Sequence, residues 1–173
     1  MTALPDEVES YLEALVERLR AALGERLVAV WLIGSAAMGA FRPGESDLDV
    51  AVMVTGPSVD VALDDLPVPA TKLEIVYYDR ELKVVLDPNP GSGDHWYLID
   101  LAVAREHGRG LTGPPPAELI EPIRRERILA ALDASDRWHA EHEPDSANLA
   151  RGRVFRETGR WVSKGEALGA EEP

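Results

Sequence analysis

Cysteine is absent from the 173 residues, which excludes disulfides and thiolate metal sites. No apolar stretch is long enough to span a bilayer, and the opening MTALPDEVES is acidic where a signal peptide would be basic and then apolar. These absences leave no membrane as a partner and make a cytoplasmic location the default expectation. Positive charge is also scarce. Lys and Arg number 18 against 31 Asp and Glu, a formal net charge of -13, and Lys72, Lys83 and Lys164 are the only lysines. Duplex nucleic acid, itself a polyanion, is thereby excluded as the main partner. A small cationic substrate suits this charge, as would a merely solubilising acidic surface. Neither internal repeats nor low-complexity tracts are present.

The apolar share is ordinary at 45%, enough to build one full domain or a compact domain with a smaller helical companion. The chain is organised around residues 27–54, LVAVWLIGSAAMGAFRPGESDLDVAVMV. Two apolar, β-branched runs bounded by turn residues read as buried strands. Gly34-Ser35 stands where the first strand ends and a short helix begins near Ala36, so free backbone N–H groups and a hydroxyl meet in a place suited to a phosphate. Asp47 and Asp49 open the second strand two residues apart. Their carboxylates share one face, roughly 7 Å apart along the chain. Two acids on one face beside a phosphate cradle make a magnesium site.

Around this unit, residues 5–23 carry Val8, Tyr11, Leu12, Leu15, Leu19 and Leu23 at helical spacing, between Pro5 and Gly24. Residues 55–70 read as a connector, and 71–78 as a strand with Leu73, Ile75 and Tyr77 on one face. Glu74 is a lone acid within that strand. It is either an exposed edge-strand acid or one that meets a cation, a metal or a reacting hydroxyl. The Pro/Gly-rich segment 86–94 marks a boundary, giving an α/β domain over 1–90 and a helical domain over 91–173. Helices are expected over 95–107, over 117–142 with a break near Pro122, and over 145–158. A short last helix starts at Ser163, with Glu166 placed as in a capping box. Trp138 lies among Asp136, Glu141, Glu143 and Asp145, as a polyammonium ligand would want or as a solvated helix end would also show. Trp96 offers the same ligand contact or a core position, and reads as core. All four histidines read as structural or exposed.

Gly34-Ser35 followed by Ser46-Asp47-Leu48-Asp49 resembles the signature of the nucleotidyltransferase superfamily. With the strand acid in LEIV, the segment AREHGRGLTGPPP (104–116) and NLARGRVFRETGRWVSKGEA (148–167), the chain resembles the aminoglycoside adenylyltransferases that act on streptomycin and spectinomycin. The resemblance implies a small mixed sheet with flanking helices, followed by a helical domain that covers the nucleotide and shapes the acceptor pocket. It implies transfer of AMP from ATP to a hydroxyl, with two Mg²⁺ ions held by Asp47, Asp49 and Glu74. Glu74 takes the position of the catalytic base. Gly34, Ser35 and Ser46 would face the phosphates, Arg151 would lie near them, and Lys164 would bind the nucleotide. The path from Asp49 to Glu74 is shorter than the resemblance implies, as though a helix were reduced to a loop. The helical domain also ends early. The acceptor pocket is therefore expected to be shortened, finished by a second subunit, or fitted to another molecule. Two other readings stand beside this one: a minimal nucleotidyltransferase of a toxin–antitoxin pair that adenylylates a protein, and an inactive nucleotidyltransferase-like binding module.

Overall fold

A computed structural model describes residues 3–56, 61–88 and 93–169. Parts of the 55–70 connector and of the 86–94 boundary segment, and the terminal residues from 170 onward, lie outside it. Helix α1 (Asp6–Leu23) forms because its apolar residues recur every three to four positions, and Gly24 ends it at a φ of 55°. Strand β1 (Leu27–Ile33) then leads into the single turn α2 (Gly34–Ala37), and strand β2 (Leu48–Val54) follows after a Pro-Gly loop. Strands β3 (Leu73–Tyr78) and β4 (Val84–Leu86) come next, followed by helix α3 (Asp94–His107). The chain continues as β5 (Arg109–Thr112), α4 (Pro116–Leu119), α5 (Arg125–His142), α6 (Ala147–Thr158) and α7 (Lys164–Ala167).

The five strands make one mixed sheet in the order β4-β3-β2-β1-β5, with β2 and β3 parallel and the other neighbours antiparallel. Side chains alternate between its two faces. Val30 and Leu32 of β1, Leu48, Val50 and Val52 of β2, and Ile75 and Tyr77 of β3 join the stripe of α1 in one core. Trp31, Ala51, Met53, Val76 and Tyr78 point the other way, against Tyr97, Leu101 and Ala104 of α3. The far side of α3 presents Ile99, Ala102 and Val103 to Ile128 and Leu132 of α5, and to Phe155 and Trp161. One helix thus serves two cores, joining the sheet to the helical layer. Each such buried aliphatic side chain stabilises the fold by about 1.5–3 kcal/mol.

Parallel strands need a long crossover between them. Here the described part of that connection contains no helix. Leu63, Leu66, Val68 and Ala70 lie along the α1 core, and Arg18 of α1 donates to both carboxylate oxygens of Asp65 at 2.7 and 2.8 Å.

The break expected near Pro122 in the 117–142 helix is present: α4 and α5 are separated by extended residues there, since the missing N–H and fixed φ of Pro122 interrupt the ladder. Several other sequence expectations change. Strands β4 and β5 were not anticipated. Residues 109–112 look like turn sequence, with glycines on either side, but they pair with β1 at the sheet edge. Arg109 binds the Glu9 carboxylate at 2.7 and 2.8 Å, and the Trp31 indole donates to Pro114 O at 2.8 Å. Trp96 is only partly buried, with its ring set edge-on to Trp138 at 5.7 Å.

Trp31 is fully buried and also ties β1 to the chain after β5. Trp31→Ala is expected to destabilise by about 3–5 kcal/mol in denaturant unfolding, and Trp31→Phe, which leaves Pro114 O unsatisfied, by about 1–3 kcal/mol. A Trp31→Phe loss near zero would show that the hydrogen bond contributes nothing beyond ring volume.

Candidate active site

The parallel pairing of β2 and β3 brings the candidate residues together. Its register sets Asp49 directly opposite Glu74, and Ile33, the residue before the Gly-Ser turn, opposite Asp49 on the other side. Backbone bonds continue the ladder beyond the strand ends: Leu48 N donates to Lys72 O at 2.9 Å, and Thr71 N to Ser46 O at 3.1 Å. Asp47 and Lys72 are thereby placed side by side. By the same alternation Asp49 and Glu74 face the α3 side, at the end where the hydrophobic face stops.

Gly34 shows why this turn requires glycine. Its φ is +64°, and a Cβ there would lie 1.8 Å from Asp49 Oδ2. The backbone of the turn therefore rests against the carboxylate. α2 is one turn long, so a helix dipole adds little; close backbone approach is the useful property. Ser35 is partly buried beside it. The Ser46 hydroxyl is engaged in its own loop, where it accepts from Arg42 N at 3.0 Å.

Asp49 and Glu74 share a hydrogen bond, and Asp49 is pushed up to about 8. Desolvation is the largest cause, followed by the charges of Asp100, Glu74 and Asp47. Asp100 is a fourth acid that reading the sequence did not single out. It lies on the α3 stripe that carries Tyr97, Leu101 and Ala104 toward the sheet, yet its own surface is exposed, as on the wall of a cleft. Its carboxyl is pushed up to about 6, mainly by desolvation; Arg151 and Lys164 draw it down, while Glu74 and Asp87 press it up. The signal was available: an acid inside WYLIDLAVA at an apolar-stripe position invites the question already asked of Glu74.

Arg151 reaches this cleft from α6. It donates to Val162 O at 3.0 Å and to Asn148 Oδ1 at 3.4 Å, and touches Met38 Sδ at 3.9 Å, just past the Gly-Ser turn. Burial pulls its guanidinium down, and Asp100 and Asp49 oppose that. Lys164 opens α7 and is exposed, its charge acting on Asp100. The Ser163 hydroxyl accepts from Glu166 N at 3.1 Å, the cap that the sequence pattern implied.

Hard oxygen donors, crowded enough to raise a carboxyl well above its ordinary range, fit magnesium, since a divalent cation would relieve that repulsion. Asp47, Asp49 and Glu74 are the residues that would hold it. Among the described residues, however, no three such side chains form a ready metal cage. Lys72 lies among the acids, with its Nζ 3.6 Å from Asp47 Oδ2 and in contact with Glu74 Oε1.

Farther out, Trp138 stacks on His142 at 4.6 Å, and Asp136 binds Arg156 at 2.8 Å, so this acid is less free than the sequence suggested. His139 is buried and bonds Ser135 O at 2.9 Å through Nδ1, and His142 bonds Trp138 O at 2.8 Å in the same way. Both therefore serve the helix.

Such a sheet, with a Gly-Ser turn beside acids on adjacent parallel strands, has the layout of a nucleotidyltransferase fold. Residues 12–90 match the sequence model of the nucleotidyltransferase domain, and this part of the chain is such a domain. No curated protein matches the chain. Among solved structures, spectinomycin adenyltransferase AAD(9) from Enterococcus faecialis, crystallised with ATP and spectinomycin, superposes with a TM-score of 0.71 at 18% identity, over 96% of this chain and 84% of that one. This shows a shared fold, helical layer included. A toxin–antitoxin structure with AMP-PNP reaches a TM-score of only 0.39 at 14% identity, over 86% of this chain and 98% of that one, too distant to carry an argument. No helix among the described residues is long and apolar enough to cross a membrane.

Two outcomes are expected. Gly34→Ala should lower stability by at least about 1 kcal/mol in denaturant unfolding, since alanine strains the left-handed φ, and Asp49→Ala in the same chain should restore part of the loss. Additive losses would deny the contact. In chelator, the raised carboxyl of Asp49 favours the folded state most below the ordinary carboxylate range, and that contribution is lost as pH rises through about 8. The thermal midpoint should therefore fall between about pH 5 and pH 8, and Asp49→Asn should flatten the fall; parallel profiles would remove Asp49 as its source.

Proposed function

We propose that this chain is a magnesium-dependent adenylyltransferase that moves AMP from ATP to a hydroxyl of a small cationic acceptor, an aminoglycoside. The observation that carries the reading is Glu74 beside Asp49 on parallel strands, against a glycine turn that admits no side chain. The likeness to AAD(9) over nearly the whole chain supports it, as do the partly exposed rings of Trp96 and Trp138 and the exposed Glu141, Glu143 and Asp145.

In this reading the acceptor oxygen forms a bond to the α-phosphorus of ATP. The bond from that phosphorus to the bridging oxygen breaks, and pyrophosphate leaves with the electron pair. Glu74 accepts the hydroxyl proton. The backbone at Gly34 and the hydroxyls of Ser35 and Ser46 orient the phosphates. Arg151 and Lys164 offset charge on the departing pyrophosphate. Asp47, Asp49 and Glu74 would hold two Mg²⁺ ions, whose chemistry is neutralisation of the triphosphate and activation of the acceptor oxygen. A cytoplasmic location would supply ATP and Mg²⁺, and modifying an aminoglycoside there would confer antibiotic resistance.

The test is pyrophosphate release from ATP and Mg²⁺ across a panel of aminoglycosides. Turnover is expected with at least one, falling roughly 10²–10⁴-fold in Glu74→Gln with little change in ATP affinity. Turnover within a few-fold of wild type would remove Glu74 as the base. No release with any acceptor would move the reading to a protein substrate.

A further inference from the structure

Lys72 stands where none of the roles above needs a lysine. The extended β2/β3 ladder fixes its backbone beside Asp47, and the two-residue strand period puts its side chain on the same face as Glu74. The ammonium is then shared between the two acids, in contact with Glu74 Oε1 and 3.6 Å from Asp47 Oδ2. Glu74 in turn is hydrogen-bonded to Asp49. Arg151 and Lys164 act on Asp100 from the helical side, whereas Lys72 meets the acids from within the sheet.

We propose that Lys72 is a resident cation that competes with one of the two divalent ions for Asp47 and Glu74. It balances the acid cluster in the metal-free protein, so the sheet does not need metal to fold with these side chains together. Asp49, with which Lys72 makes no ion pair, would remain available to one ion. A second ion would need the ammonium to withdraw, and the Lys72 side chain, about half exposed at 54%, has room to do so. While Lys72 remains, its ammonium also occupies Glu74 Oε1. Loading the second ion would therefore also free Glu74 of the ammonium. Metal demand is thereby set by a residue that binds no metal. This rests on the metal-binding reading of the three acids.

The test is Mn²⁺ binding to the nucleotide-free protein, followed by electron paramagnetic resonance, for wild type, Lys72→Met, Lys72→Arg and Asp49→Asn. Lys72→Met keeps the stem and removes the charge. It is expected to bind Mn²⁺ roughly five- to tenfold more tightly, the scale of one or two half-exposed ion pairs. Lys72→Arg should remain within about twofold of wild type. In chelator, Lys72→Met should melt below wild type, and it should gain more from Mn²⁺. Equal Mn²⁺ affinity in Lys72→Met and wild type would overturn the proposal while leaving the metal site intact. So would an arginine variant that gains as much as the methionine one. Absence of binding in every protein would overturn the metal-binding reading together with it, and Asp49→Asn separates the cases by abolishing any binding that belongs to this site. Should Lys72→Met fail to fold, Lys72→Gln carries the same comparison.

Discussion

Carboxylate repulsion at the mouth of two parallel strands is the constraint around which this molecule is built. Antiparallel neighbours could have separated Asp49 and Glu74; a parallel register with Leu48 opposite Leu73 forces them side by side. Asp47 and Asp100 add charge to the same place, and Asp49 responds by holding a proton far above the ordinary carboxylate range. Such an arrangement is unfavourable unless cations enter it. The surrounding structure shows where they come from: Lys72 within the sheet, and Arg151 and Lys164 from the helices.

The helical layer is therefore more than a cover. α3 packs Leu101 and Ala104 on the sheet and Ala102 and Val103 on the helices, so Asp100 and the carrier of Arg151 are positioned by one continuous core. The contact of Arg151 with Met38 ties α6 to the segment just after the Gly-Ser turn. A shift of the helices on the sheet would move the guanidinium relative to the acids, which links packing some distance away to the charge balance of the site.

Much of this was legible in the sequence, and the parts that were not share a physical cause. Strand, turn and acid spacing at 27–54 expresses local chemistry, and Gly34, Asp47 and Asp49 lie where that reading put them. Glu74 was readable as an acid in an apolar strand, although its partner was not, because register is a property of two segments. β5 was missed since Arg109–Thr112 has no strand pattern of its own; β1, Glu9 and Trp31 hold it at the edge. Trp96 was misread because aromatic size suggests burial, whereas here its edge meets another half-open ring. Lys72 and Asp100 escaped notice for opposite reasons. A lone lysine before a strand looks like solvent-facing punctuation, and a lone aspartate in an apolar helix looks like a gap in the stripe.

Charge distribution carries the argument one step further. In a protein with a formal net charge of -13, cations are few enough that their placement is informative. Of its three lysines, Lys72 touches two of the clustered acids and Lys164 acts on a third, leaving Lys83 to pair with Glu81 at the surface. Scattered lysines would gain little from surface pairing, since exposed pairs contribute at most about 1 kcal/mol. Concentrated around one acid cluster they act on one another's partners, and removing one changes the balance for all. The site behaves as a single electrostatic unit assembled from three parts of the chain, with the sheet supplying the acids and one cation, α6 and α7 supplying the others, and α3 fixing the distance between them.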